Sequence, residues 1–331
     1  MRCLILDPLF PDGDVIAEGG RLLRQGALVA FPTETVYGLG ANGLDPRAVR
    51  RIFEAKGRPP DNPLILHVAC QEDVEAVARV DHRARLLFRH FSPGPLTLVL
   101  PALSVVPREV TAGLETVAVR IPDHAVALAL VRAAACPVAA PSANSSGRPS
   151  PTTAEAVVED LGNRVDLVLN GGPTTVGLES TVVDATGASL VLLRPGGLSL
   201  EDLEAVAGPV LLPERGEMLR RSPGTRHRHY APRVPVVLWS AREDFPENTS
   251  MVRAEGHAWG YVGMAPPPCR CVAERRFSNE AAYAAGLFAA LRALERCPVE
   301  AILAEWPENV GVGRALRDRL RRASEPKNDE R

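Results

Sequence analysis

An α/β fold with a mixed sheet is what this chain predicts, on three observations. Short apolar runs alternate with helical patterns as far as residue 212, the signature of strands interleaved with helices. Several of those runs follow one another with no helix between them, so the sheet is mixed and not purely parallel. A second, smaller set of strand and helix patterns begins at residue 236, after an Arg- and Pro-rich stretch with neither period. The length of 331 residues agrees with two domains and an ample core.

In chain order, eight runs of the first region read as strands: ALVAF (27–31), LILHV (64–68), LTLVL (96–100), TVAVRI (116–121), PVAA (137–140), VDLVLN (165–170), STVVD (180–184) and LVLLR (190–194). The clearest helix is DPRAVRRIFEAKG (45–57). Asp45 caps it, Pro46 suits its first position, Val49, Ile52 and Phe53 form one face, and Gly57 ends it. Lys56 then falls in the last turn and Arg58 just beyond. Residues 213–235 hold six Arg, two His and four Pro with little apolar periodicity. This is a linker by composition, and connections of that length are usually functional or disordered. The second region offers strands at VPVVLWS, HAWGYVG and VEAILAEW, a long helix at 278–297 with Tyr283, Leu287, Leu291 and Leu294 on one side, and a closing helix at VGRALRDRLRRAS. The expected divisions are 1–212, a linker at 213–235, a small Rossmann-like α/β domain at 236–325 and a frayed tail at 326–331.

Composition excludes several classes. With 38 Lys and Arg against 40 Asp and Glu, the net charge is -2, so no global nucleic-acid or membrane footprint exists. Any anion site is a local gathering of cations. No run approaches the ~20 apolar residues of a membrane span, and acidic residues interrupt the N-terminus early, which points to a cytoplasmic protein. Of six cysteines only Cys269 and Cys271 are close. Without a second pair or a nearby His they are a weak metal signal.

Phosphate-cradling loops of the G-x-x-x-x-G-K-[ST] type, an early G-x-G-x-x-G, H-E-x-x-H and G-x-S-x-G are all missing. What remains is a set of polar residues at strand ends, where open α/β sheets bind ligands. FPTETVYGLG (31–40) presents Thr35 after Pro32, and Arg120 ends a strand before Pro122. APSANSSGRPSPT (140–152) presents Ser142, Asn144 and Ser150. Ser180 follows a Gly-rich turn, and Arg194 precedes Gly196 and Gly197. Taken singly, each has an ordinary structural explanation: Ser and Asn form turns, His67 sits among apolar residues as a core His does, and Lys56 and Arg58 complement a helix C-terminus. Their recurrence on one domain is what suggests a pocket for a polyanion beside a small polar molecule.

At these residues the chain resembles the YrdC/Sua5 family of threonylcarbamoyl-AMP synthases. FPTETVYGLG, KGRPPDNPLILHV, SPGPLTLVL, VAVRIPDH, PSANSSGRPSPT, ESTVVD, LLRPG and SPGTRHRHYAP stand in family order and spacing. The resemblance implies a YrdC-like twisted mixed sheet with flanking helices over 1–212, then the linker and C-terminal domain of the longer Sua5 form. It implies synthesis of threonylcarbamoyl-AMP and pyrophosphate from L-threonine, bicarbonate and ATP with Mg2+, the product passing to the machinery that makes t6A in tRNA. Carried over residue by residue, the K-x-R and S-x-N pairs are Lys56/Arg58 and Ser142/Asn144, expected at the catalytic centre. The implied ATP contacts are these four with Asn62, Thr116, Ser150, Arg194 and Tyr230. The implied threonine contacts are Thr35, His67, Arg120, Ala140 and Ser180, with Arg120 facing the carboxylate. The Arg-rich linker becomes a lid that excludes water.

Two other readings stay open from the residues. One is an RNA-binding module on a basic concave face, against which stand the net charge and the few aromatics, eight Phe, four Tyr and three Trp; no stable nucleic-acid binding is expected. The other is a carbamoyltransferase-like enzyme, whose relatives carry zinc fingers that this chain lacks.

Overall fold

The computed structural model describes residues 1–213, 229–240 and 258–325. They fall into two compact units. The first comprises 1–146 and 150 onward to the end of the first described stretch. The second comprises 147–149 and the described residues from 229. Residues 214–228, most of the linker expected as a lid over 213–235, and the tail from 326 lie outside the described residues.

Ten strands of the first unit are β1 (Arg2–Ile5), β2 (Val29–Phe31), β3 (Gly38–Asn42), β4 (Ile65–His67), β5 (Leu96–Pro101), β6 (Thr116–Arg120), β7 (Val138–Ala139), β8 (Leu167–Asn170), β9 (Thr181–Asp184) and β10 (Val191–Arg194). Among the described residues they form one sheet in the order β1-β8-β2-β3-β7-β4-β6-β5-β9-β10. The sheet is mixed, as expected: β4 and β6 run parallel while β5 and β6 run antiparallel. Strand β3, GLGAN, was not expected. Its glycines have poor strand propensity, but it lies between β2 and β7 and pairs antiparallel with both, so tertiary pairing overrides local preference.

The helix Pro46–Lys56 is built as its sequence requires. Asp45 accepts from the Arg47 N–H, Pro46 takes the first position and Gly57 closes the helix at φ 62°, a left-handed conformation natural to glycine. Its apolar face enters the main core with Val49, Ile52 and Phe53. Alternation along the central strands divides the sheet's two faces. Leu66, Val119 and Leu98 are register partners on β4, β6 and β5 and all belong to that core. The alternate residues Ile65, Ala118, Val99 and Val182 form a small separate apolar cluster on the opposite face.

Among the described residues the second unit is built on an all-parallel sheet of β11 (Val236–Trp239), β12 (Trp259–Gly263), β13 (Ala273–Arg276) and β14 (Ala301–Glu305), ordered β11-β14-β12-β13. The helix Glu280–Leu294 buries Tyr283, Leu287, Leu291 and Leu294, the face that its spacing predicts. Strand β13, AERR, is polar and sits at the sheet edge, which hides it from hydrophobic pattern reading.

Candidate active site

The face with the small apolar cluster carries a line of polar side chains. His67 is the register partner of Arg120, Arg120 of Thr97, and Thr97 of Val182. Directly paired residues project to the same face. A bulge between Leu192 and Arg194 then sets Arg194 opposite Val182, adding it to the same row. Bulges re-aim side chains in this way beside functional sites. Five neighbouring strands thus present His67, Arg120, Thr97, Val182 and Arg194 in one transverse row.

Loops close on this row. The loop after β2 places Thr35 so that its Oγ1 accepts from Arg120 Nη1 at 2.9 Å. Glu34 Oε2 lies 2.7 Å from Arg120 Nη2, with both side chains buried. Arg120 Nε also donates to the Gly94 carbonyl at 3.2 Å. Ser180, just before β9, shares a 2.7 Å hydroxyl hydrogen bond with Thr97. Its carbonyl accepts from Arg194 Nη2 at 2.8 Å. Gly196 makes this approach possible: a Cβ there would stand 2.3 Å from the Ser180 carbonyl carbon and from the Thr181 nitrogen.

A second cluster gathers at the end of the helix Pro46–Lys56. Lys56 Nζ donates to the carbonyls of Ser142 and Asn144, the latter at 2.6 Å. Ser142 Oγ donates to Asn144 Oδ1 at 2.5 Å. Burial pushes the Lys56 ammonium well below the usual lysine range, and the positive charge of Arg58 pushes it the same way. Arg58 is buried and donates to the Pro63 carbonyl at 3.1 Å and, through Nε, to that of Asn62 at 3.4 Å. Residues 179 and 180 relate the two clusters through sequence and charge. Ser150 donates to Glu179 Oε1 at 2.5 Å, Glu179 acts electrostatically on Lys56, and Ser180 follows it in the row's hydrogen-bond chain.

Of the expected residues, the structure therefore brings together Thr35, Arg120, Ser180 and Arg194, and separately Lys56, Ser142 and Asn144, while Ser150 is held by Glu179. His67 and Arg120 are adjacent, and burial with the nearby Arg120 charge pushes the His67 imidazole down to about 3. His67 is thus neutral at physiological pH. Ala140 spends its N–H on the Ile65 carbonyl at 2.9 Å. Thr116 opens β6 four residues before Arg120, about 13 Å along the strand, and stands apart from the row. Tyr230 belongs to the second unit, where its ring stacks on Phe288 at 5.3 Å. Sequence reasoning gave no role to Glu34, Thr97 or Glu179. Thr97 had a signal, as the sole hydroxyl in the apolar run LTLVL. Glu34 stood in a polar loop whose fold back onto Arg120 no local pattern encodes.

Comparison with known proteins settles the family. A model described as "Telomere recombination", Sua5_yciO_yrdC, matches residues 21–196, more than half of the chain. The chain belongs to the Sua5/YciO/YrdC family. A further family model, Sua5_C, described as the threonylcarbamoyl-AMP synthase C-terminal domain, matches residues 198–325. The chain is 47% identical over 312 residues to a threonylcarbamoyl-AMP synthase of Pyrococcus abyssi, covering 91% of this chain and 92% of that one. It is 44% identical to that of Bacillus subtilis, covering 97% and 96%. Among solved structures, P. abyssi Sua5 complexed with L-threonine matches with a TM-score of 0.90 at 44% identity, covering 97% of each chain. The family's mixed α/β architecture is therefore the one seen here. No helix among the described residues is long and apolar enough to cross a membrane.

Proposed function

We propose that this chain is an L-threonylcarbamoyladenylate synthase, a nucleotidyltransferase that joins threonine, bicarbonate and the AMP moiety of ATP and releases pyrophosphate. The names of its full-length relatives support this reading over the RNA-binding and carbamoyltransferase ones. The observation that carries it is the pair of polar clusters, Lys56–Ser142–Asn144 and Thr35–Arg120–Ser180–Arg194, with the charge of Glu179, next in sequence to Ser180, acting on Lys56. One is suited to a phosphate chain and the other to an amino acid.

In this reading Arg120 grips the threonine carboxylate, with Thr35 and neutral His67 around the rest of the molecule. Lys56, Arg58 and Arg194 neutralise the phosphates while the threonine carbamate attacks the α-phosphorus. Such a displacement depends on alignment and charge neutralisation more than on covalent help. Ser142, Asn144, Ser150 and Asn62 position the nucleotide, and Thr116 and Tyr230 remain candidate nucleotide contacts from outside this group. Ala140, whose N–H is held by the Ile65 carbonyl, offers its backbone carbonyl to the amino acid in this reading. Mg2+ enters with ATP as part of the substrate. The carboxylates beside the cations are already engaged, Glu34 with Arg120 and Glu179 with Ser150, so phosphate oxygens supply the ion's principal ligands. In this reading the product feeds tRNA t6A formation and the protein acts in the cytoplasm. The test is mass spectrometry of a reaction containing ATP, Mg2+, threonine and bicarbonate. The adenylate mass is expected, and its absence with an active, folded protein rejects the assignment.

A further inference from the structure

Glu34 is the strongest unexplained group in the first unit. It is 6% exposed, on a loop that folds over the sheet face. Its only charged neighbour within ion-pair distance among the described residues is Arg120, at 2.7 Å. That contact is off the hydrogen-bond axis: neither Glu34 oxygen, nor Arg120 Nη2, has a hydrogen-bond partner among the described residues. A buried carboxylate with no hydrogen bond on either oxygen is costly, and a catalytic role is one of the reasons a folded protein keeps such a group.

Threonine at neutral pH is a zwitterion. Its carboxylate needs a cation and its ammonium needs an anion. The Arg120–Glu34 pair is the same dipole reversed, so a zwitterion can exchange partners with it and bring no net charge into the buried site. The amino group must also lose a proton before it is a nucleophile. Resting on the function proposed above, we propose that Glu34 is the residue that receives the threonine ammonium and takes its proton, acting as general base for carbamate formation.

The step balances. The ammonium gives one proton to a Glu34 carboxylate oxygen, leaving a neutral amine and a carboxylic acid. The nitrogen lone pair attacks the carbon of bicarbonate, a C–N bond forms, and the nitrogen's second proton leaves with the bicarbonate hydroxyl as water. The carbamate remains, and Glu34 returns its proton to solvent after the product departs. Other bases near the row are poorly suited. His67 holds its imidazole neutral and too weakly basic. Lys56 Nζ is surrounded by the oxygens of Ser142 and Asn144. Glu179 already accepts from Ser150.

The test uses the full chain as parent, Glu34→Gln and Glu34→Ala, with pyrophosphate release as the rate and calorimetry for threonine binding. Glu34→Gln keeps the shape and removes the base. Its kcat should fall by about 10²–10⁴-fold, with the threonine Kd within about tenfold of the parent. In Glu34→Ala, added formate should restore turnover in proportion to its concentration, which a merely structural residue would not permit. A Glu34→Gln kcat within threefold of the parent, or a change in KM alone, overturns the proposal. Should Glu34→Gln fail to fold, absence of formate rescue in Glu34→Ala overturns it. A parent without threonine-dependent turnover instead rejects the synthase reading itself, so the two failures are distinguishable.

Discussion

Replacing Arg120 with Met should separate stability from binding in a way that only a buried, ligand-exchanging ion pair predicts. Among the described residues the Arg120 side chain has three polar partners, Glu34, Thr35 and the Gly94 carbonyl, at 2.7, 2.9 and 3.2 Å. Arg120→Met leaves the Glu34 carboxylate buried without a counter-charge, which costs about 3–5 kcal/mol. At about 2–4 °C per kcal/mol for a domain of this size, Tm should fall by roughly 6–20 °C. Loss of a charge-assisted bond to the threonine carboxylate, worth about 1.5–3 kcal/mol, should weaken threonine binding roughly ten- to hundredfold. The double variant Arg120→Met/Glu34→Gln removes both charges. It should recover most of the stability but none of the affinity. Urea unfolding of the four proteins, followed by circular dichroism, gives the coupling energy, and calorimetry gives threonine Kd. A single variant within about 1 kcal/mol of the parent, or a cycle with no coupling, would falsify the burial argument. An unchanged Kd would remove Arg120 from the threonine site.

Three further outcomes follow from named contacts. Lys56→Met should abolish pyrophosphate release and destabilise the fold by about 1–3 kcal/mol for each buried acceptor left without its donor; preserved turnover would dismiss the phosphate role. Gly196→Ala places a Cβ against the backbone of residues 179–181, so it should cost about 1–3 kcal/mol as overpacking does and displace Ser180 from Arg194; an unaltered Tm and rate would contradict that close approach. Because the folded state holds His67 at about 3, below its unfolded value of about 6.5, the unfolded chain binds the extra proton. The resulting stability is complete above pH 6.5 and is lost as pH falls toward 3, by about 2 kcal/mol between pH 7 and 5. His67→Gln should remove that part of the slope, measured as the difference in urea midpoints at the two pH values.

Much of this was legible because the informative residues obey local rules. The helix Pro46–Lys56 announces its cap, first turn and glycine stop in eleven residues and their flanks, which also fixes where Lys56 and Arg58 emerge. Strands β5 and β6 were readable as apolar runs. Their mutual register was not, and register is what aligns His67, Arg120 and Thr97. The Arg194 bulge depends on pairing with β9 and has no signature in LVLLR. β1 and β13 lie at sheet edges, and β3 is rich in glycine, so each depends on partners distant in sequence. Glu34 illustrates the same limit: its residue type was visible, but its burial against a cation 86 positions away was a property of the fold.

The direct measurement is pyrophosphate release by the purified full chain with ATP, Mg2+ and bicarbonate, in the presence and absence of L-threonine. A rate that requires threonine, saturates with it and needs roughly ten- to hundredfold more threonine in Arg120→Met is the predicted result. Pyrophosphate release at the same rate without threonine would contradict a pocket in which an amino acid and a nucleotide are held side by side.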